Sequence, residues 1–138
     1  MSTFSEHPDQ WRLLAGLPEL ASSAVEELMR VNPTVSTVSR VAVQDFTFQG
    51  LRIPEGAHLW MFIGAAHREP ATFGEAQLGF GGGAHYCLGA WLTRLEMREA
   101  LPILASRLGA PTVTGPVSWR PHLGIHGPLS LPLRFGTS

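Results

Sequence analysis

The residues best suited to chemistry lie between Phe80 and Gly89, where the sequence reads Phe-Gly-Gly-Gly-Ala-His-Tyr-Cys-Leu-Gly. This segment holds the only cysteine of the chain, Cys87, with His85 two residues before it. A pattern of apolar residues at helical spacing begins directly afterwards. Because unpaired N–H groups and the positive end of the dipole lie at the start of a helix, the sequence predicts that Cys87 is held there as a thiolate.

A thiolate held in this way could bind a metal at the centre of a large, flat ligand. The glycines before Cys87 let the main chain approach such a ligand and let N–H groups turn toward the sulfur. Gly89 leaves room where a Cβ would collide with the ligand, and Phe80 offers a ring to pack against it. We therefore predict a site in which one thiolate is the axial ligand of a haem iron.

Other interpretations of the same residues stay open. A lone cysteine is often buried and packs as a small hydrophobic side chain. Zinc needs about four ligands, whereas His85 and Cys87 supply two and the next histidines, His122 and His126, are distant in sequence. A phosphate loop is disfavoured because the glycine spacing does not match Gly-x-Gly-x-x-Gly and no Gly-Lys-Ser/Thr is present. Nucleophilic catalysis by the Cys/His pair is a further alternative, without a diagnostic arrangement.

The elements that position this loop can be predicted from local patterns. Pro8 suits the first turn of a short helix that Gly16 ends. A second helix follows Pro18 and stops at Asn32–Pro33. Ser23 and Glu26 match a capping box, in which the serine side chain caps the helix start, and a helix start a few residues earlier is the alternative.

A β region comes next. Residues 34–43 are rich in β-branched side chains, and the apolar residues of 46–53 flank a Gln49-Gly50 turn, which predicts a hairpin. The continuous apolar run Leu59–Ile63 predicts a buried strand, and one helical turn is expected near Ala65.

Beyond the loop, apolar spacing predicts a helix that reaches Leu108. Pro102 should kink or split this helix, because its ring removes a hydrogen bond and clashes with the preceding turn. Short strands are expected near residues 123–125 and 131–135.

Composition limits the class of protein. With 138 residues, 44% hydrophobic and 15% charged, the chain suits one globular domain. A formal net charge of −1 gives no electrostatic footprint for nucleic acid. No apolar stretch approaches the ~20 residues needed to cross a bilayer, and no signal peptide is visible near Met1. A single cysteine fits a reducing compartment, so we expect a cytoplasmic protein with no membrane or nucleic-acid partner.

The loop as a whole resembles the haem-binding signature of the cytochrome P450 family, in the pattern Phe80-Gly81-x-Gly83-x-His85-x-Cys87-x-Gly89. A second segment, Glu27-Leu28-Met29-Arg30, is similar to the Glu-x-x-Arg of the family's helix K. The resemblance implies haem b as cofactor, Cys87 as the axial ligand of its iron, and the other signature residues as the pocket around it. It also implies that Arg40 and His85 contact the haem propionates.

The resemblance implies an α+β architecture, a truncated cytochrome P450 fold of proximal helices and small β-sheet elements in one segment, residues 1–138. It implies that the distal helix, which delivers protons to bound dioxygen, would lie before Met1. The segment before Phe80 is shorter than in the family, and residues 71–79 contain no arginine to close onto helix K. We therefore expect Glu27 and Arg30 to pair only with each other or with water.

The function implied by the resemblance is monooxygenation: haem and iron binding, electrons from a ferredoxin or reductase, and insertion of one oxygen atom into an organic substrate. We expect the chain to be incomplete for catalysis on its own, and we assign no catalytic residue. The alternative is a non-catalytic remnant or interaction protein. It would self-associate through an exposed apolar surface, with Trp60, Met61 and Phe62 as candidates, or pair with a separate distal half. Three arginines after the loop suit either a docking face for the electron donor or solvated helix positions: Arg94, Arg98 and Arg107.

Overall fold

The computed structural model describes residues 1–69, 78–121 and 124–136. In this part of the chain, the α-helices are α1 (Ser2–Glu6), α2 (Pro8–Gly16), α3 (Ala21–Val31), α4 (Ile63–Ala66) and α5 (Ala90–Arg107). Single 3-10 turns are formed by Pro18–Leu20, Leu78–Phe80 and Gly83–His85. No helix among these residues is long and apolar enough to cross a membrane.

The strands pair two by two, and every pair is antiparallel. The strands are β1 (Thr37–Val41), β2 (Phe46–Phe48), β3 (Leu51–Ile53), β4 (His58–Phe62), β5 (Pro111–Val113), β6 (Ser118–Trp119), β7 (Pro128–Ser130) and β8 (Leu133–Phe135). The pairs are β1 with β4, β2 with β3, β5 with β8 and β6 with β7. Helices and small sheets alternate in blocks along the chain, which confirms the α+β prediction.

The core lies between the helices. Trp11 of α2 is 1% exposed, meets Phe4 of α1 edge-to-face with ring centroids 4.9 Å apart, and packs with Leu101 of α5. Its indole Nε1 donates to the carbonyl of Leu108, 3.0 Å away, at the end of α5. Val25 of α3 completes the cluster, so α5, which follows the cysteine loop, is fixed against the first three helices.

Several local predictions are confirmed. Pro8 begins α2 and Gly16 ends it, and α3 stops before Asn32. The hairpin of β2 and β3 turns at Gln49-Gly50, where φ is 47° and 81°. Two successive residues with positive φ are what a two-residue type I′ turn requires. The helical turn expected near Ala65 is α4.

Two other predictions are wrong, and a third is wrong in part. Ser23 does not cap α3, because it lies inside the helix and donates to the carbonyl of Leu20, 2.9 Å away. Of the two outcomes predicted at Pro102, the split does not occur, because α5 runs from Ala90 to Arg107 with the proline inside, and the kink stays a prediction. β4 is not buried, since Trp60 is 51% and Phe62 56% exposed.

A strand was expected at residues 123–125, and residue 123 lies outside the described residues. Ile125 forms an isolated bridge with Val35, so this part of the prediction has a β partner. The prediction for 131–135 corresponds to β8. Helix α1 was not anticipated from the sequence.

Candidate functional site

The cysteine loop is a tight turn closed by backbone hydrogen bonds. The N–H of Cys87 donates to the carbonyl of Phe80 over 2.8 Å, which joins the two ends of the glycine run. Gly81 (φ 77°) and Gly83 (φ 59°) take left-handed backbone conformations that other residues rarely adopt. At Gly81 a Cβ would also approach the His85 carbonyl oxygen to 3.2 Å. The glycines are therefore needed for the path of the loop.

The side chain of Cys87 faces open space. Cys87 is exposed, so it does not pack as a buried hydrophobic residue. Gly89 is the N-cap of α5, and a Cβ added there would meet only the Cys87 sulfur, at 3.9 Å. On the Gly89 side the described residues thus leave room next to the sulfur, and a sulfur donor with such room beside it fits a haem iron.

The zinc interpretation gains nothing from the structure. Among residues 1–69, 78–121 and 124–136, no group of three or more histidine, cysteine or acidic side chains is placed to hold a metal ion. His122 lies outside the described residues. His126 stacks on Trp119, with ring centroids 5.2 Å apart and planes 8° from parallel, so it takes part in the β6–β7 region.

Arg94 of α5 connects the loop to helix α3. Its Nε and Nη2 donate to the two carboxylate oxygens of Glu26, at 2.5 and 3.2 Å, and its Nη1 donates to the Tyr86 hydroxyl at 3.1 Å. Its Cζ lies 4.4 Å from the centroid of the Phe80 ring, which is a cation–π geometry. The hydrogen bonds to Glu26 raise the pKa of Arg94. One guanidinium thus contacts both ends of the loop.

Glu27 and Arg30 form the predicted pair. Nε and Nη2 of Arg30 donate to the two oxygens of Glu27, both at 2.7 Å. These hydrogen bonds from Arg30 lower the pKa of Glu27. The expectation that the pair has only itself or water as partner is wrong, because Nη1 of Arg30 also donates to the backbone carbonyl of His67, 2.6 Å away.

His67 continues this connection toward the loop. Its Nε2 accepts the N–H of Leu78 at 2.9 Å, and its Nδ1 lies 3.1 Å from the carbonyl of Arg30. A neutral ring with its proton on Nδ1 satisfies both hydrogen bonds. Burial lowers the pKa of His67, which favours this neutral form. The ring therefore ties the end of α3 to the turn Leu78–Phe80.

The remaining predicted residues lie on exposed positions. Arg40 is in β1, opposite Leu59, and its Nη1 donates to the carbonyl of Ser39 at 2.8 Å. His85 ends the turn Gly83–His85 and is exposed. Both side chains carry N–H donors, and both are accessible to an anion. Their contact with haem propionates stays a prediction.

Sequence reasoning missed the roles of four residues in this region: Glu26, His67, Tyr86 and Arg94. Glu26 was assigned to a capping box, and Arg94 to either docking or solvent. One signal was available, since Tyr86 directly precedes Cys87 and a polar ring there invites a hydrogen-bond partner. The partner itself lies eight residues away on α5 and depends on tertiary packing.

The comparisons with known proteins agree on one family. Residues 4–77 match the family model described as Cytochrome P450. The chain is 45% identical over 151 positions to luteothin monooxygenase of Streptomyces thioluteus, covering 100% of this chain and 37% of that protein. It is 40% identical to mycinamicin IV hydroxylase/epoxidase of Micromonospora griseorubida, covering 91% of this chain and 36% of that protein. The chain thus spans little more than a third of these relatives.

Solved structures agree with the sequence relatives. P450BioI in complex with an acyl carrier protein that carries hexadec-9Z-enoic acid superposes with a TM-score of 0.88 and 31% identity, over 97% of this chain and 38% of that chain. CYP164A2 of Mycobacterium smegmatis superposes with a TM-score of 0.82 and 38% identity, over 91% of this chain and 35% of that chain. Sequence relatives and solved structures therefore agree on one architecture, of which this chain covers a part.

Proposed function

Because the chain belongs to the cytochrome P450 family, we propose that it binds haem b through the sulfur of Cys87 and serves monooxygenation. The observation that supports this most is the exposed Cys87, at the end of a loop that is closed by the hydrogen bond from its N–H to Phe80. When bound, the haem supplies oxygen activation, and a thiolate ligand favours cleavage of the O–O bond.

The chain's own residues orient and hold the cofactor in this proposal. The loop presents the sulfur outward, with its backbone fixed by the hydrogen bond from Cys87 to Phe80. Arg40 and His85 offer donors to the haem propionates from exposed positions, and each such charge-assisted hydrogen bond is short and strong. The glycines at 81, 83 and 89 would keep side chains away from a bound porphyrin.

The reaction class follows the family, and its details are proposals because the chain spans 37% of its relative's length. We propose oxygen insertion into an organic substrate, with electrons supplied by a ferredoxin or reductase. We further propose that the 138 residues acting alone couple reductant to product poorly. The reason is that the resemblance assigns no residue of this chain as the proton donor to bound dioxygen.

A carbon monoxide spectrum tests the site. The full chain is mixed with hemin, reduced and exposed to carbon monoxide, and a strongly red-shifted Soret band is expected from thiolate ligation. Cys87→Ala should lose the shift, whereas His85→Ala should keep the shift and bind hemin more weakly. Folded protein that takes up no hemin, or a shift that survives Cys87→Ala, would overturn the proposal.

A second candidate function is a non-catalytic interaction protein. Strand β4 exposes three apolar side chains, those of Trp60, Met61 and Phe62. They favour this function, because contiguous exposed apolar surface marks interaction sites. Sedimentation over a range of concentrations tests it. Self-association that Phe62→Ser reduces would support it, and a monomer at every concentration would exclude self-association.

A further inference from the structure

We propose that Arg94 is the positioning residue for the cysteine loop: its guanidinium, held by Glu26 of α3, fixes Phe80 and Tyr86 and thereby sets the direction of Cys87. The inference rests on the proposed haem function for its consequence. Its structural part, the fixing of the loop, can be measured without haem.

The Arg94 guanidinium contacts two residues of the loop that precede Cys87, Phe80 and Tyr86. Tyr86 directly precedes Cys87, and its hydroxyl accepts a hydrogen bond from Nη1 of Arg94. Phe80 supplies the carbonyl that accepts the Cys87 N–H, and its ring lies under the same guanidinium at 4.4 Å. The two rings also contact each other, with centroids 6.4 Å apart. Moving Arg94 would therefore disturb both ends of the loop together.

Most of the loop is itself exposed. Residues 81–88 are exposed throughout, and Phe80 is buried. An exposed loop with closing backbone bonds opens readily unless its ends are held. Glu26 holds Arg94 through both carboxylate oxygens, and such a two-point pair adds geometric specificity that a single contact lacks.

Lysine cannot replace this arrangement fully. A guanidinium is planar and donates in several fixed directions, so it can serve Glu26, Tyr86 and the Phe80 ring at once, whereas an ammonium is a compact charge on a flexible stem. We expect Arg94→Gln to remove the fixing of the loop fully and Arg94→Lys to weaken it in part. Arg98→Gln is the matched control, since Arg98 lies on the same helix and pairs only weakly with its neighbour Glu99, at 3.3 Å.

The decisive measurement is hydrogen exchange of the Cys87 amide in the full haem-free chain. In Arg94→Gln we expect exchange about tenfold faster, which corresponds to about 1.4 kcal/mol. Exchange in the core helices should change less than twofold, about 0.4 kcal/mol. Arg98→Gln should leave the Cys87 amide unchanged. Equal protection in Arg94→Gln and Arg98→Gln would overturn the inference, whether or not the chain binds haem.

The haem-loaded chain gives a second readout. At equal haem content, Arg94→Gln should convert part of the strongly red-shifted carbon monoxide complex into a form without that shift, and Arg94→Lys should convert less. If Arg94→Gln keeps the full shift, the positioning role is wrong while the haem proposal stands. If the original chain lacks the shift but its Cys87 amide depends on Arg94, the haem proposal fails and the structural part of this inference stands.

Discussion

Replacing His67 by alanine tests the connection between α3 and the cysteine loop. His67 is 4% exposed, and its ring nitrogens bond the carbonyl of Arg30 and the N–H of Leu78. The substitution removes the ring and both hydrogen bonds. The Arg30 carbonyl, near the end of α3, and the Leu78 N–H, two residues before the loop, then lose their partner.

The magnitude follows from these losses. Each neutral hydrogen bond contributes about 1 kcal/mol net, and a buried group left unsatisfied costs about 1–3 kcal/mol. Because both backbone groups are only partly buried, water can recover part of that cost. We expect His67→Ala to lower the free energy of unfolding by about 2–4 kcal/mol, which is large for a single substitution.

Guanidinium chloride unfolding of the full chain measures this change, provided that the slope with denaturant stays the same. His58→Ala is the matched control, because His58 is exposed on β4, and it should stay within about 0.5 kcal/mol of the original chain. His67→Asn keeps one donor and one acceptor and should recover part of the loss. A result for His67→Ala as small as that for His58→Ala would refute the reasoning.

Two further predictions concern pH and backbone contact. Since burial lowers the pKa of His67 from 6.5, the unfolded chain takes up the proton first. Stability should therefore fall as the pH drops below 6.5 until the folded pKa is passed, and His67→Asn should flatten this part of a thermal-melting profile measured against pH. Gly109→Ala should destabilise by about 1–3 kcal/mol, because its Cβ would lie 2.7 Å from the backbone of Gly136. Gly127→Ala, where a Cβ meets nothing within 4 Å, is the control, and equal melting temperatures for the two variants would contradict the contact.

Local chemistry made part of this fold predictable. The Gln49-Gly50 turn, the proline at the start of α2 and the glycine loop before α5 each depend on backbone preferences of a few adjacent residues, and all three were placed correctly. The exposure of β4 could not be obtained in this way. A run of apolar residues looks the same whether it is covered or open, because the difference depends on what packs against it.

In the candidate site too, local features could be predicted from the sequence and long-range contacts could not. Cys87 and its glycines could be identified because their spacing is local. The contact between Arg94 and Glu26 joins residues 68 apart in sequence, and the bond from His67 to Leu78 depends on the path of the chain between them. At Pro102 a local rule predicted a kink or a split, whereas the structure shows a continuous α5 that packs against α2 and α3.

The distribution of tryptophans gives the chain built-in optical reporters. Trp11 is sealed in the helical core, whereas Trp60, Trp91 and Trp119 are exposed. A soluble quencher such as iodide should extinguish the surface emission and leave the blue-shifted signal of Trp11. Loss of that residual signal would then report separation of α2 from α5, independently of events at the surface.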